Sequence, residues 1–129
     1  MGDKTGKEGP LTTDSLKWAE VIRETLLDHK GERVVVLDMA EVTLIADYFV
    51  IATGHNFIQV RALADYVQDA MAAVGARLLN PQRYDRAHWI LLDYGPIVVH
   101  IFTEDEREFY DLERFWGDAQ VVEMESAAP

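Results

Sequence analysis

Acid–base or metal chemistry in this chain would have to come from four histidines, His29, His55, His88 and His100, and from three aspartates beside apolar runs, Asp38, Asp47 and Asp93. The histidines show no H-x-x-x-H or other tight ligand spacing, and no serine stands in a G-x-S-x-G elbow. His100 alternates with Val99 and Ile101, which suits a hydrogen-bonded structural histidine in a strand. The chain has no cysteine, which removes thiol nucleophiles, cysteinyl zinc sites and iron–sulfur ligation. The aspartates could hold Mg²⁺ beside a phosphate, but a nucleotidyl transferase needs two acids a residue apart on one strand after a Gly-Ser type turn, and neither feature is present. Strand-end aspartates more often cap the following turn. Thr53-Gly54-His55-Asn56 could offer amides to an anion, yet it lacks the G-x-G-x-x-G and P-loop patterns, and Asn56 is accounted for as a helix cap.

The strongest remaining signal is a group of large aromatics set among acids: Trp89, Tyr94, Tyr110, Phe115 and Trp116 with Asp93, Glu108 and Glu113. Aromatic rings carry much contact area at small entropic cost, and acids beside them suit a basic protein partner. The competing demand is the core, which in a small domain needs many of these rings. Charge points the same way. Twelve Lys and Arg against 23 Asp and Glu give a net charge of −11, which repels phosphate backbones and anionic membranes and argues against direct nucleic-acid binding. No apolar run approaches the roughly 18 residues of a membrane helix, and the N-terminus has no signal-peptide pattern. A cytoplasmic address is therefore expected.

The 129 residues, 49% of them hydrophobic, are sized for one domain with one core. Residues 1–12 read as a flexible N-terminal arm, 13–119 as the domain and 120–129 as a tail. A first helix is expected from Thr13 or Asp14 to about His29, with Trp18, Ile22 and Leu26 aligned and Lys30-Gly31 as the stop. Val34 to Leu37 and Tyr48 to Ala52 read as strands buried on both faces. A second helix follows, with Val60, Leu63, Ala64, Val67, Met71 and Val74 on one stripe and Gly75 at its end. After a weak strand candidate at Ala76 to Asn80, Trp89 to Tyr94 and Ile97 to Phe102 flank Gly95-Pro96 as an antiparallel hairpin. Thr103 to Glu106 reads as a capping box opening a last helix with Phe109, Leu112 and Trp116 inward. The fold class is α/β, a mixed sheet of four or five strands covered by helices.

Five segments, Val36-Leu37-Asp38, Ile45 to Gly54, Trp89 to Gly95, Val98 to Phe102 and Arg107 to Trp116, closely resemble the ribosomal silencing factor family, RsfS or Iojap-like, in order and spacing over about Ser15 to Ala119. The resemblance implies a nucleotidyltransferase-like sheet without its catalytic residues, no enzyme activity, no cofactor and no metal. It implies binding to the large ribosomal subunit through its fourteenth protein, which blocks joining of the small subunit. Family members often pair when free. It further implies that Trp89, Asp93 and Tyr94, with Arg107, Tyr110 and Glu113, lie on or support the partner-binding surface. Two departures stand out: Gln82-Arg83 replaces the usual Glu-Gly, and Pro96 replaces the usual Asp, so the loop before Trp89 is expected to differ in shape.

Overall fold

A computed structural model describes residues 8–81, 87–117 and 119–122, with side chains at 8–14 and Phe115 left aside. Helix α1 (Glu8–Asp28) leads into the antiparallel strands β1 (Glu32–Asp38) and β2 (Tyr48–Gly54), then helix α2 (Phe57–Ala73). The hairpin β3 (Trp89–Asp93) and β4 (Ile97–Thr103) follows, then short helices α3 (Glu104–Tyr110) and α4 (Leu112–Phe115) and the two-residue strand β5 (Gln120–Val121). The five strands lie in the order β3-β4-β2-β1-β5, with only β2 and β4 parallel.

Period-two alternation divides the sheet's side chains between two cores. On one face Val36, Val50, Ala52, Ile90, Leu92, Val99 and Ile101 meet Ile22 and Leu26 of α1 and Val60, Leu63, Val67 and Met71 of α2. Each fully buried aliphatic side chain here contributes roughly 1.5–3 kcal/mol of transfer free energy. On the other face Leu37, Phe49, Ile51, Val98 and Phe102 meet Met39, Val42 and Ala46 of the β1–β2 loop, and Leu112 and Trp116 after α3. The chain leaving β2 therefore turns to one face and the chain leaving the adjacent parallel β4 turns to the other.

Local chemistry sets the boundaries. Asn56 caps α2 by accepting from the Gln59 amide at 2.9 Å. Gly54 must lack a side chain, because a Cβ would lie 3.0 Å from Val60 Cγ2 and 3.1 Å from the Val60 nitrogen. Gly95 holds a φ of 91° in the hairpin turn, and Asp93 Oδ1 accepts its amide at 2.8 Å. Edge strand β3 is clipped by Asn80, whose amide donates to the Leu91 carbonyl at 2.9 Å while its oxygen accepts the Asp93 amide at 2.8 Å.

Several expectations change. Helix α1 begins at Glu8 rather than at Thr13 or Asp14, because Pro10 falls in the first turn, where a missing amide removes no helical bond. The 76–80 segment forms no strand; it supplies the Asn80 clip instead. A fifth strand lies where the sequence reading placed a tail, with Val121 and Gln120 paired to Leu37 and Asp38. Val74 is exposed at the end of its stripe. The expected last helix breaks at Asp111, which adopts a left-handed conformation (φ 47°, ψ 58°), so Phe109 faces outward at 79% exposure while Leu112 and Trp116 stay inward. Thr103 opens α3 without a side-chain cap bond, being the last rung of the β2–β4 ladder opposite Gly54, so the capping box does not form. Gln82 and Arg83 lie outside the described residues. The Pro96 carbonyl accepts from the Asp47 and Tyr48 amides at 2.7 and 3.1 Å, tying the hairpin turn to the start of β2.

Candidate partner-binding surface

Strand β3 places Trp89 and Leu91 on the face away from α1 and α2. The Trp89 ring stacks on Phe102 opposite it (centroids 5.0 Å apart, planes at 27°) and lies 4.7 Å from Tyr110. Its Nε1–H donates to His100 Nδ1 at 3.2 Å. That bond requires neutral His100 to carry its proton on Nε2, which is buried and finds no acceptor among the described residues. Burial lowers the His100 pKa from 6.5 to about 4, so at neutral pH it is a packed, uncharged ring, as the strand alternation predicted.

Beyond Trp89 the aromatic strip reaches solvent. Tyr110 is 44% exposed and meets Phe109 edge-on at 5.1 Å. Both occupy the last turn of α3, where the left-handed Asp111 turns the chain into α4. The Asp111 carboxylate then accepts the Arg114 amide at 3.4 Å. Glu104, Asp105 and Glu108 stand exposed along the same helix. The α3 corner thus presents large rings among carboxylates.

A buried arginine anchors that corner. Arg107 is 2% exposed, and its guanidinium donates from Nη1 to the Arg33 carbonyl at 2.5 Å and to Thr53 Oγ1 at 2.9 Å. Nε donates to Glu113 Oε1 at 3.3 Å, and Nη2 forms a short bond to Glu113 Oε2. The β1–β2 register shifts between Glu32 and Val35, with Arg33 at a φ of 50°, where its carbonyl accepts from Arg107. Burial of the Glu113 carboxyl pushes its pKa up, but the hydrogen bonds and charge of Arg107, together with the charge of Arg33, outweigh that and hold it below the ordinary glutamate value.

Of the six residues named from sequence, Trp89 and Tyr110 are in contact, and Arg107 and Glu113 form the ion pair that fixes the α3–α4 corner. Asp93 sits at the far end of β3 and builds the hairpin turn. Tyr94 is not an exposed anchor: it is 4% exposed in the core on the helical face, and burial raises its phenol pKa to about 12. Arg107 and Tyr94 are thus both buried within the fold. Sequence reasoning missed Phe109 by placing it inward. The available signal was Asp111 itself, a favoured N-cap residue and one of the few types tolerant of the left-handed region.

The pieces of a nucleotide site are not assembled. Asp38, Asp47 and Asp93 lie at the hairpin-turn end of the sheet, whereas Gly54-His55-Asn56 lies at the opposite end of β2. Each aspartate is engaged: Asp38 Oδ1 accepts the Ala40 amide at 3.0 Å, Asp47 accepts the Ser15 hydroxyl at 2.9 Å, and Asp93 holds Gly95.

Residues 12–129 match the family described as ribosomal silencing factor during starvation. The chain belongs to that family. A Halalkalibacterium halodurans ribosomal silencing factor RsfS is 43% identical over 98 residues, covering 76% of this chain and 84% of the relative. The Bacillus subtilis RsfS is 39% identical over 98 residues, covering 76% and 83%. A Chromobacterium violaceum crystal structure superposes with a TM-score of 0.76 at 30% identity, covering 88% of this chain and 96% of that one. Membership makes this a ribosome-associated translation regulator whose relatives are named for silencing rather than for catalysis. Among the described residues, no helix of the RsfS fold here is long and apolar enough to cross a membrane.

Proposed function

We propose that the protein represses translation in the cytoplasm by seating its Trp89–Tyr110–Phe109 surface on a basic protein of the large ribosomal subunit, the fourteenth by family resemblance, and thereby obstructing the small subunit. The observation that supports this reading is an exposed aromatic strip bordered by the carboxylates of α3, on a corner held by a buried ion pair. Large rings at the centre of an interface supply most of the binding energy, and carboxylates at its rim steer association with a basic patch. At a net charge of −11 the protein gains nothing by approaching RNA phosphates, so its affinity must come from protein contacts.

The test mixes separated subunits with the folded protein and measures joined ribosomes by sedimentation. Inhibited joining and co-sedimentation with the large subunit are expected. Phe109→Ala should weaken that co-sedimentation at least about tenfold, since a hot-spot ring contributes about 2 kcal/mol. At 79% exposure the ring is hardly used by the fold, so stability should change by less than about 0.5 kcal/mol. Unimpaired joining at saturating protein, or binding to the small subunit alone, overturns the proposal.

A further inference from the structure

A second site lies at the opposite end of the sheet from the hairpin turn. Where β2 ends at Gly54 and the parallel β4 ends at Thr103, the chain leaves to opposite faces, into α2 and into α3. Such a divergence opens a crevice between adjacent strand ends, and in open α/β sheets this is where ligands bind. Here the crevice measures about 340 Å³ and is lined by His55, Asn56, Phe57, His88, Thr103, Asp105 and Glu106.

Three features define its chemistry. Asp105 and Glu106 supply negative charge and form no ion pair with a cation among the described residues. Phe57 and His88 meet edge to face at 6.3 Å and give the wall an aromatic surface. Thr103 is 8% exposed, and its hydroxyl has no hydrogen-bond partner among the described residues, although its own amide donates to the His88 carbonyl at 2.8 Å. A buried hydroxyl left unmatched is costly, and a ligand donor would satisfy it. Phosphate is disfavoured by the two carboxylates. A metal is disfavoured as well, because no three of the described histidines and acids converge into a ligand set. What fits is a planar cation with several N–H donors, which can stack on a ring, pair with carboxylates and donate to a hydroxyl.

We propose that this crevice binds a guanidinium group. The crevice shares the α3 carboxylate Asp105 with the rim of the proposed ribosome-binding surface but none of its rings, so this titration and the subunit-joining assay can fail independently. Agmatine and N-acetyl-argininamide are titrated into the full chain, followed by amide chemical shifts and calorimetry. Saturable shifts centred on Phe57, His88 and Thr103 are expected, with a dissociation constant on the order of 1 mM or below. Asp105→Asn with Glu106→Gln should weaken binding at least about tenfold. Thr103→Val should weaken it about fivefold while leaving the melting temperature equal or higher, because the unliganded hydroxyl has no partner to lose. Binding of the blocked arginine as tightly as agmatine, or more tightly, assigns the group to a protein side chain; weaker binding assigns it to a free amine. Absence of saturation by about 10 mM, shifts scattered over other acidic surfaces, or unchanged affinity in both variants overturns the proposal.

Discussion

Replacing Glu113 by Gln tests whether the α3–α4 corner is held by charge or merely by packing. Arg107 makes four hydrogen bonds, two of them to the Glu113 carboxylate, with the others going to the Arg33 carbonyl and Thr53 Oγ1. Glutamine keeps one acceptor but loses the second charge-assisted bond, worth about 1.5–3 kcal/mol, and leaves a guanidinium uncompensated at 2% exposure. Breaking a fully buried pair costs about 3–5 kcal/mol. The Glu113 side chain is 30% exposed, so water screens part of the interaction and the expected loss falls to about 2–3 kcal/mol. Against a total of about 5–15 kcal/mol the variant still folds. Urea unfolding should show a lower midpoint at unchanged slope. Because the Glu113 pKa is depressed in the folded state, its contribution is fully present above the ordinary glutamate range and is lost as pH falls through the folded value. The gap between wild type and variant should therefore close in acid. A loss under about 0.5 kcal/mol at pH 7, or a gap independent of pH, refutes the argument.

Tyr94→Ala should destabilise the domain by about 3–5 kcal/mol in denaturant melts, because the ring is in the helical-face core; a variant that melts like wild type yet loses ribosome binding would restore Tyr94 as a contact. His100, with its folded pKa lowered to about 4 against 6.5 unfolded, contributes stability that is complete above about pH 6.5 and declines as pH falls toward 4. His100→Asn should flatten that stretch of the urea-midpoint profile, and an unchanged profile would assign the dependence elsewhere. Gly54→Ala should cost about 1–3 kcal/mol by calorimetry, because the new methyl meets the Val60 backbone nitrogen at 3.1 Å, which cannot yield as a side chain can; a wild-type melting temperature would show that α2 shifts freely.

The sequence carried whatever depended on periodicity and local turns. The α2 stripe, the Asn56 cap, the Gly95-Pro96 hairpin and the doubly buried run of β2 all form where neighbouring residues demand them. Features set by distant partners were not legible. Strand β5 exists because Leu37 and Asp38, more than 80 residues earlier in the chain, offer it an edge. The break at Asp111 had a local signal in that residue, but the contacts that hold the corner, Arg107 to Thr53 and Arg33, are ones no helical wheel encodes. The candidate surface was legible as a region through its aromatics and acids. Exposure was not: Tyr94 and Phe109 exchanged the roles expected of them, because strand alternation sent one ring to the helical core and the α3 break turned the other to solvent.

The Asn80 clip on β3 and the irregular start of β1 leave this sheet poorly suited to growth by lateral addition of another strand. Asn80 already occupies backbone groups of Leu91 and Asp93 that an incoming segment would need, and on the other side the Arg33 carbonyl is committed to Arg107. A domain rich in Val, Ile and Phe strands thus leaves few edge groups free for cross-β pairing at these two places. Replacing Asn80 with an apolar residue should free those two groups and raise the light scattering of concentrated samples relative to wild type.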